Sequence, residues 1–120
     1  MLPRVERVLG IGGIFFKAKD PAALQAWYRD NLGLPVGEHG QTMFAEHGGP
    51  LVWSAFPADS TYFAAPFMIN FRVKDLHAML AQLRAAGANV DEKVVEESYG
   101  KFGWVTDPEG NRIELWEPAG

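Results

Sequence analysis

The chain carries one pattern twice, and this internal repeat limits what it can fold into more than any other feature. Residues 15–36 read FFKAKDPAALQAWYRDNLGLPV and residues 70–90 read NFRVKDLHAMLAQLRAAGANV. Both run from an apolar stretch through Lys-Asp into a segment with helical spacing of apolar residues, and then reach a glycine. Asp20 aligns with Asp75. The chain is therefore expected to contain two similar modules.

Each module begins with a strand and a helix. Asp20 and Asp75 stand where a carboxylate accepts hydrogen bonds from the free N–H groups of a helix start. Pro21 follows at the first helical position, where its missing N–H costs nothing. Gly33 and Gly87 are expected to end the two helices. Short extended runs broken by turn residues follow each helix, so each module is predicted to read strand, helix and three strands.

The closing strands of the two modules also align. Residues 49–57, GPLVWSAFP, match residues 110–118, GNRIELWEP, and the match places Trp53 at the position of Glu114. The composition of the segment between the modules is typical of a linker. We expect one α+β domain over residues 1–120, with module one at about 8–57, a linker at about 58–66 and module two at about 67–118. The alternative is a chance likeness between two strand-helix pairs.

Composition excludes several classes of function. With 48% hydrophobic residues, eight Phe and four Trp, the 120-residue chain can bury a core. No apolar run long enough to span a bilayer and no secretory leader is evident, so we expect a soluble cytoplasmic protein. The absence of cysteine excludes thiol chemistry. A net charge of −4 without a Lys/Arg cluster argues against nucleic acid as a partner.

Four motifs carry a resemblance to a known superfamily. They are the strand that leads into Lys-Asp, WYRDNLGLPV (27–36), FRVKDLHAMLAQLRAAG (71–87) and above all DPEGNRIELWEP (107–118). The chain resembles the vicinal oxygen chelate superfamily, which includes glyoxalase I, extradiol dioxygenases and the fosfomycin and bleomycin resistance proteins. The resemblance implies paired βαβββ modules whose eight strands form an open, curved, barrel-like sheet around a cavity.

The resemblance also implies metal ligands on the first and last strand of each module. In this sequence those positions fall on Gly13, Trp53, Met68 and Glu114, of which Glu114 alone offers a ligand for a hard or borderline cation. We therefore predict no metal site and no cofactor. His39, His47 and His77 are the remaining histidines, and His47 is the best reserve ligand.

Glu114 lies between Ile113 and Leu115 and faces away from both, because side chains alternate along a strand. Three readings stay open for it. It could be a buried charge paired with Arg112 or Arg72, a polar anchor for a ligand, or a general base or residual metal ligand. As a candidate catalytic residue it has no evident second group beside it.

The aromatic content indicates a small-molecule site, because such sites are lined by aromatic walls with a few polar groups. The alternative is that several of these rings belong to the core or to a subunit interface. Tyr99, in the segment ESYGKFGW (97–104), is a candidate contact from a lid, and the alternative for that segment is a plain connection. The predicted ligand-binding residues are Phe15, Phe44, Trp53, Asn70, Arg72, Tyr99, Trp104 and Glu114.

These observations predict a glyoxalase-like or bleomycin-resistance-like protein that binds a small hydrophobic or aromatic molecule without a metal. The alternative is a metal-dependent lyase, isomerase or dioxygenase with an atypical site that uses Glu114, and a divalent metal would then be its cofactor. A third reading is an accessory domain with a pocket filled by its own side chains. The expected partners are a small-molecule ligand and a second copy of the chain, with neither nucleic acid nor membrane.

The first testable prediction is a homodimer. Paired modules of this superfamily expose apolar edges, and a small domain rich in aromatic residues gains stability by burying them across a twofold interface. Light scattering at micromolar concentration should give about twice the chain mass of 13.3 kDa. A single species at the chain mass would contradict the prediction.

Overall fold

The computed structural model describes residues 6–37, 40–44 and 49–120 and divides the chain into two compact units. The first unit runs to Gly12 and resumes from Ile69 to Gly120, and the second is Gly13–Met68. In chain order the elements are β1 (Val8–Ala18), α1 (Pro21–Leu32), β2 (Thr42–Phe44), β3 (Leu51–Pro57), β4 (Phe67–Val73), α2 (Leu76–Ala85), β5 (Asn89–Glu97), β6 (Gly100–Thr106) and β7 (Arg112–Pro118).

In the first unit the strand order is β1-β4-β7-β6-β5. Strands β4 and β7 are parallel, whereas β6 is antiparallel to both β7 and β5. Side chains alternate between the two faces of these strands. Phe71 and Val73 of β4 pack with α2, and Asn70 and Arg72 therefore lie on the opposite face.

Helix α2 covers one face of this unit. Its N-cap is Asp75, whose Oδ1 accepts from the backbone N–H of Ala78 at 3.0 Å. A second carboxylate, on Glu117 of β7, accepts from the backbone N–H of Leu76 at 2.9 Å, so two of the free donors of the helix start are satisfied. The core beneath the helix consists of Val73, Leu76, Met79, Leu80, Val105 and Leu115.

In the second unit the strand order is β2-β3-β1, with β3 parallel to β1 and antiparallel to β2. Asp20 Oδ1 accepts from the N–H of Ala23 at 3.1 Å and caps α1. The helix ends at Gly33, whose φ of 70° is the left-handed conformation that glycine adopts without strain. Both predicted aspartate caps and the glycine stop of α1 are confirmed.

The prediction of an α+β fold with an open sheet is confirmed, with two helices and a mixed sheet of seven described strands. The second module has the full predicted order: strand, helix and three strands. In the described part of the first module two strands, β2 and β3, follow α1, and residues 34–37 form no strand. Neither helix is long and apolar enough to cross a membrane, as far as the described residues go.

The turn between β6 and β7 sets the register of the closing strand. Asp107 Oδ1 accepts from the backbone N–H groups of Glu109 and Asn111, both at 2.9 Å, and Oδ2 accepts from Asn111 Nδ2 at 2.9 Å. The side chain and backbone N–H of Asn111 hold the pKa of Asp107 below its usual value of 3.8. The turn therefore depends on an ionised Asp107.

The second prediction tests this turn through pH. A carboxylate with a lowered pKa stabilises the fold above its unfolded-state pKa, and the contribution disappears as the pH falls through the folded-state pKa. Asp107→Ala should therefore lower the free energy of unfolding at pH 7, and the difference from wild type should shrink below about pH 4. Urea unfolding at pH 7 and at pH 3 measures the difference in unfolding free energy between the variant and wild type. Asp59→Ala, at an exposed carboxylate, is the control, and a loss that is the same at pH 7 and pH 3 would contradict the role of the charge.

Candidate functional site

A buried carboxylate forms the centre of the first unit. Glu114 of β7 is 1% exposed. Its Oε1 accepts from Asn70 Nδ2 of β4 at 2.7 Å, and its Oε2 accepts from Trp104 Nε1 of β6 at 3.0 Å. Asn70 and Trp104 are the register partners of Glu114 on the two neighbouring strands. We call these three residues the Glu114 cluster.

Gly12 of β1 closes the cluster on one side. A Cβ at this position would lie 2.2 Å from Asn70 Oδ1, 2.9 Å from Arg72 Cγ and 3.0 Å from a ring carbon of Trp116. Three side chains therefore occupy the space that a side chain at position 12 would need, so this position requires glycine. Arg72 is 4% exposed, and its Nη1 donates to the carbonyl of Ile11 at 2.6 Å.

Two buried polar atoms near the cluster have no hydrogen-bond partner within the described part of the chain: Asn70 Oδ1 and Trp116 Nε1. Buried polar groups in folded proteins are nearly always paired, so an unpaired donor and an unpaired acceptor in one region need an explanation. A bound molecule or water is the usual one. Both atoms belong to side chains that are more than nine-tenths buried.

Aromatic rings extend from the cluster to the surface. The Trp116 ring is parallel to that of Phe102, with an interplanar angle of 5° and centroids 6.1 Å apart. Phe102 in turn contacts Tyr99 at 5.8 Å. Tyr99 is 63% exposed and Phe102 is half-buried, so the three rings form a series from solvent to interior.

Two cations lie over the ring of Trp104. Lys93 Nζ is 5.6 Å and Arg112 Cζ is 5.4 Å from the ring centroid, within the range of cation–π attraction. Arg112 also donates to Asp91 at 3.0 Å. Hydrogen bonds from the backbone N–H of Lys93 and from Arg112 lower the pKa of Asp91 below its usual 3.8. Two cations thus lie over the Trp104 ring, and one of them, Arg112, is paired with Asp91.

The structure brings four of the predicted ligand-binding residues together: Asn70, Arg72, Trp104 and Glu114. The suggested pairing of Glu114 with Arg112 is replaced, because the guanidinium of Arg112 bonds to Asp91. Asn70 and Trp104 are instead the residues that donate to the carboxylate. Gly12 and Trp116 were not predicted as site residues, although Trp116 stands two residues after Glu114 and strand alternation puts it on the same face.

Trp53 does not occupy the counterpart position of Glu114. The register pairs Phe15 with Ser54 in the second unit and Asn70 with Glu114 in the first. Ser54 is therefore the counterpart of Glu114, and the sequence alignment of the closing strands was displaced by one residue. A displacement of one residue reverses the face of every side chain in a strand.

The consequence is visible in the packing of Trp53. Its ring contacts Phe16 at 5.1 Å and Tyr28 of α1 at 4.9 Å. Phe15 points to the other face, where its ring lies 5.3 Å from that of Phe56. Phe15 and Trp53 therefore lie on opposite faces of the sheet. The sequence analysis had expected both of them to line one site.

The two remaining predicted residues are Phe44 and Tyr99, which belong to different units of the chain. Phe44 is half-buried on β2, where it pairs with Leu51. Tyr99 lies in the two-residue connection between β5 and β6, which is too short for a lid. The plain-connection alternative therefore describes this segment.

The donor set around Glu114 does not fit a metal ion. Both carboxylate oxygens accept N–H groups, and neither an indole nor an amide nitrogen that donates a proton can act as a ligand. Across the described ranges no three His, Asp or Glu side chains come together as a metal site would require. His77 pairs with Glu96 at 2.8 Å. His39 and His47 lie outside the described residues.

The family follows from the sequence match and agrees with this fold. The chain belongs to the glyoxalase-like domain family, which matches residues 13–116. The superfamily that the sequence analysis named, vicinal oxygen chelate, is confirmed. No curated protein matches the sequence.

Solved structures share the fold. The chain is similar to methylmalonyl-CoA epimerase from Mycobacterium tuberculosis, with 22% identity, a TM-score of 0.71 and coverage of 100% of this chain and 94% of that one. A Streptomyces coelicolor methylmalonyl-CoA epimerase variant, in complex with 2-nitronate-propionyl-CoA, is 19% identical with a TM-score of 0.74, and the match covers 95% of this chain and 100% of that one. A glyoxalase/bleomycin resistance protein/dioxygenase superfamily member from Vibrio splendidus is 16% identical with a TM-score of 0.59, and the match covers 94% of this chain and 99% of that one.

The third prediction concerns Gly12. Gly12→Ala should lower the free energy of unfolding by about 1–3 kcal/mol, because the new methyl group meets a fixed amide and an indole ring. Gly10→Ala is the matched control, since its nearest neighbour is the flexible end of Arg72 at 2.7 Å. Urea denaturation compares them, and equal losses in the two variants would contradict the special role of Gly12.

Proposed function

We propose that this chain is a binding protein for a small hydrophobic or aromatic molecule, recognised by the face of the first unit that carries the Glu114 cluster. The observation that supports this most is the unpaired Asn70 Oδ1 in a buried, aromatic setting. A hydrogen-bonding atom in such a setting is typical of sites where a few polar groups orient an otherwise apolar ligand.

The surrounding side chains suit a flat molecule. The rings of Trp104, Trp116 and Phe102 lie on the same face of the strands as the polar groups of Asn70 and Arg72, and all of these side chains except Phe102 are buried. Stacking on such rings contributes beyond the area that it buries. The structurally similar epimerase that carries a CoA ester analogue binds a small organic ligand on this fold. For this chain that similarity supports small-molecule binding in general. The chemical class of the ligand is inferred from the side chains of this chain alone.

The geometry favours binding over metal-dependent catalysis. A lyase, isomerase or dioxygenase of this superfamily that used Glu114 would need further metal ligands beside the carboxylate, whereas the groups that face its two oxygens here are the N–H donors of Asn70 and Trp104. A general base would likewise need a second catalytic group nearby, and neither an amide nor an indole N–H supplies one. The Glu114 cluster is therefore better suited to fixing side chains than to exchanging protons.

The fourth prediction is that aromatic probes bind at this face. In a ¹⁵N-labelled sample the four tryptophan indole N–H signals can be assigned from single Trp→Phe variants. Addition of unlabelled indole should move the signals of Trp104 and Trp116 and leave that of Trp27, which is 52% exposed on α1, in place. A panel of aromatic probes that moves neither Trp104 nor Trp116 would contradict the proposal.

The same titration distinguishes the metal-dependent alternative. With the proposed mode, chelator does not change the indole shifts. Binding that disappears with chelator and returns with a divalent ion, together with near-stoichiometric metal that is lost in Glu114→Gln, would favour the enzyme reading.

A further inference from the structure

We infer that Glu114 is a positioning residue that fixes Asn70 as a hydrogen-bond acceptor, so that the site selects molecules carrying an N–H or O–H donor. This inference rests on the proposed function and names the class of its ligand. It also gives a new role to the one position of the superfamily's metal-ligand pattern at which this chain keeps a carboxylate.

The first step is the orientation of the Asn70 amide. The amino group of Asn70, Nδ2, donates to Glu114 Oε1 at 2.7 Å, because a carboxylate oxygen serves as the acceptor. The amide oxygen then points the other way. It lies 2.2 Å from the position that a Cβ on Gly12 would take, with no donor beside it in the described chain.

The second step is that Glu114 holds Trp104 as well. The indole N–H is consumed by Oε2 at 3.0 Å, so this donor is not offered to a ligand. Trp104 then contributes its ring surface, and the polar contact comes from Asn70. The carboxylate thus sets which atom the site presents and in which direction.

The third step concerns access and selectivity. Asn70 Oδ1 is buried and Arg72 packs beside it near Gly12, so a ligand reaches this acceptor only when neighbouring side chains shift. A ligand donor satisfies the buried acceptor. A molecule of similar shape without a donor leaves the acceptor unpaired, and sites built this way reject such analogues strongly.

The fifth prediction compares two probes that differ in one donor. Indole has an N–H, and 1-methylindole has a methyl group in its place. Wild-type protein should bind indole about tenfold more tightly than 1-methylindole, as expected for one unmade buried hydrogen bond. The titration follows the N–H signals of the tryptophan side chains. In Glu114→Gln the ratio should fall to about one to two, because a glutamine can donate or accept and no longer fixes the orientation of Asn70.

Glu117→Gln is the matched control, because Glu117 is another β7 carboxylate and accepts from the backbone N–H of Leu76. It should keep the wild-type ratio. Wild type that binds both probes equally, or Glu114→Gln that keeps a tenfold ratio, overturns the inference and leaves the proposed function standing. If wild type binds neither probe, the proposed function itself fails. Should Glu114→Gln not fold, Asn70→Leu takes its place, and a ratio still near ten in that variant also overturns the inference.

Discussion

The burial of the Glu114 carboxylate is the constraint on which the arrangement of the first unit depends. A carboxylate that is 1% exposed is costly to bury unless hydrogen bonds replace the water that it has lost. Here the two replacements come from different strands, Asn70 on β4 and Trp104 on β6. Both strands must therefore keep their register against β7, because a slip of either would cost the carboxylate one of these donors.

Several other features serve this register. The Asp107 turn determines where β7 begins relative to β6, and Glu117 ties the end of β7 to the start of α2. On the opposite face the core beneath α2 fixes the same strands by apolar packing. Gly12 leaves space for Asn70 and Trp116, since a methyl group there would overlap the amide oxygen. A buried polar cluster of this kind also makes one packing arrangement much better than its alternatives.

The position of Glu114 links the chain to its superfamily in an unexpected way. By resemblance this position belongs to a metal-ligand pattern, and the strand register makes Ser54 its counterpart in the second unit. In this chain the Glu114 carboxylate is buried and accepts hydrogen bonds from an amide and an indole. The position that the resemblance assigns to a metal ligand is thus compatible with a hydrogen-bond network of protein side chains.

The sequence by itself determined the features that depend on local signals: the two capped helices, the duplicated strand-helix pattern, the closing strand, and the alternation that turns Glu114 away from Ile113 and Leu115. A cap or an alternation is encoded within a few neighbouring residues. Only the tertiary structure decided which strands pair and in what register. It showed that Ser54, and not Trp53, is the counterpart of Glu114. It also placed the N–H donors beside Glu114 and Gly12 against Asn70. Register depends on contacts between residues distant in the chain, and a shift of one residue, invisible to local patterns, reverses which side chains share a face.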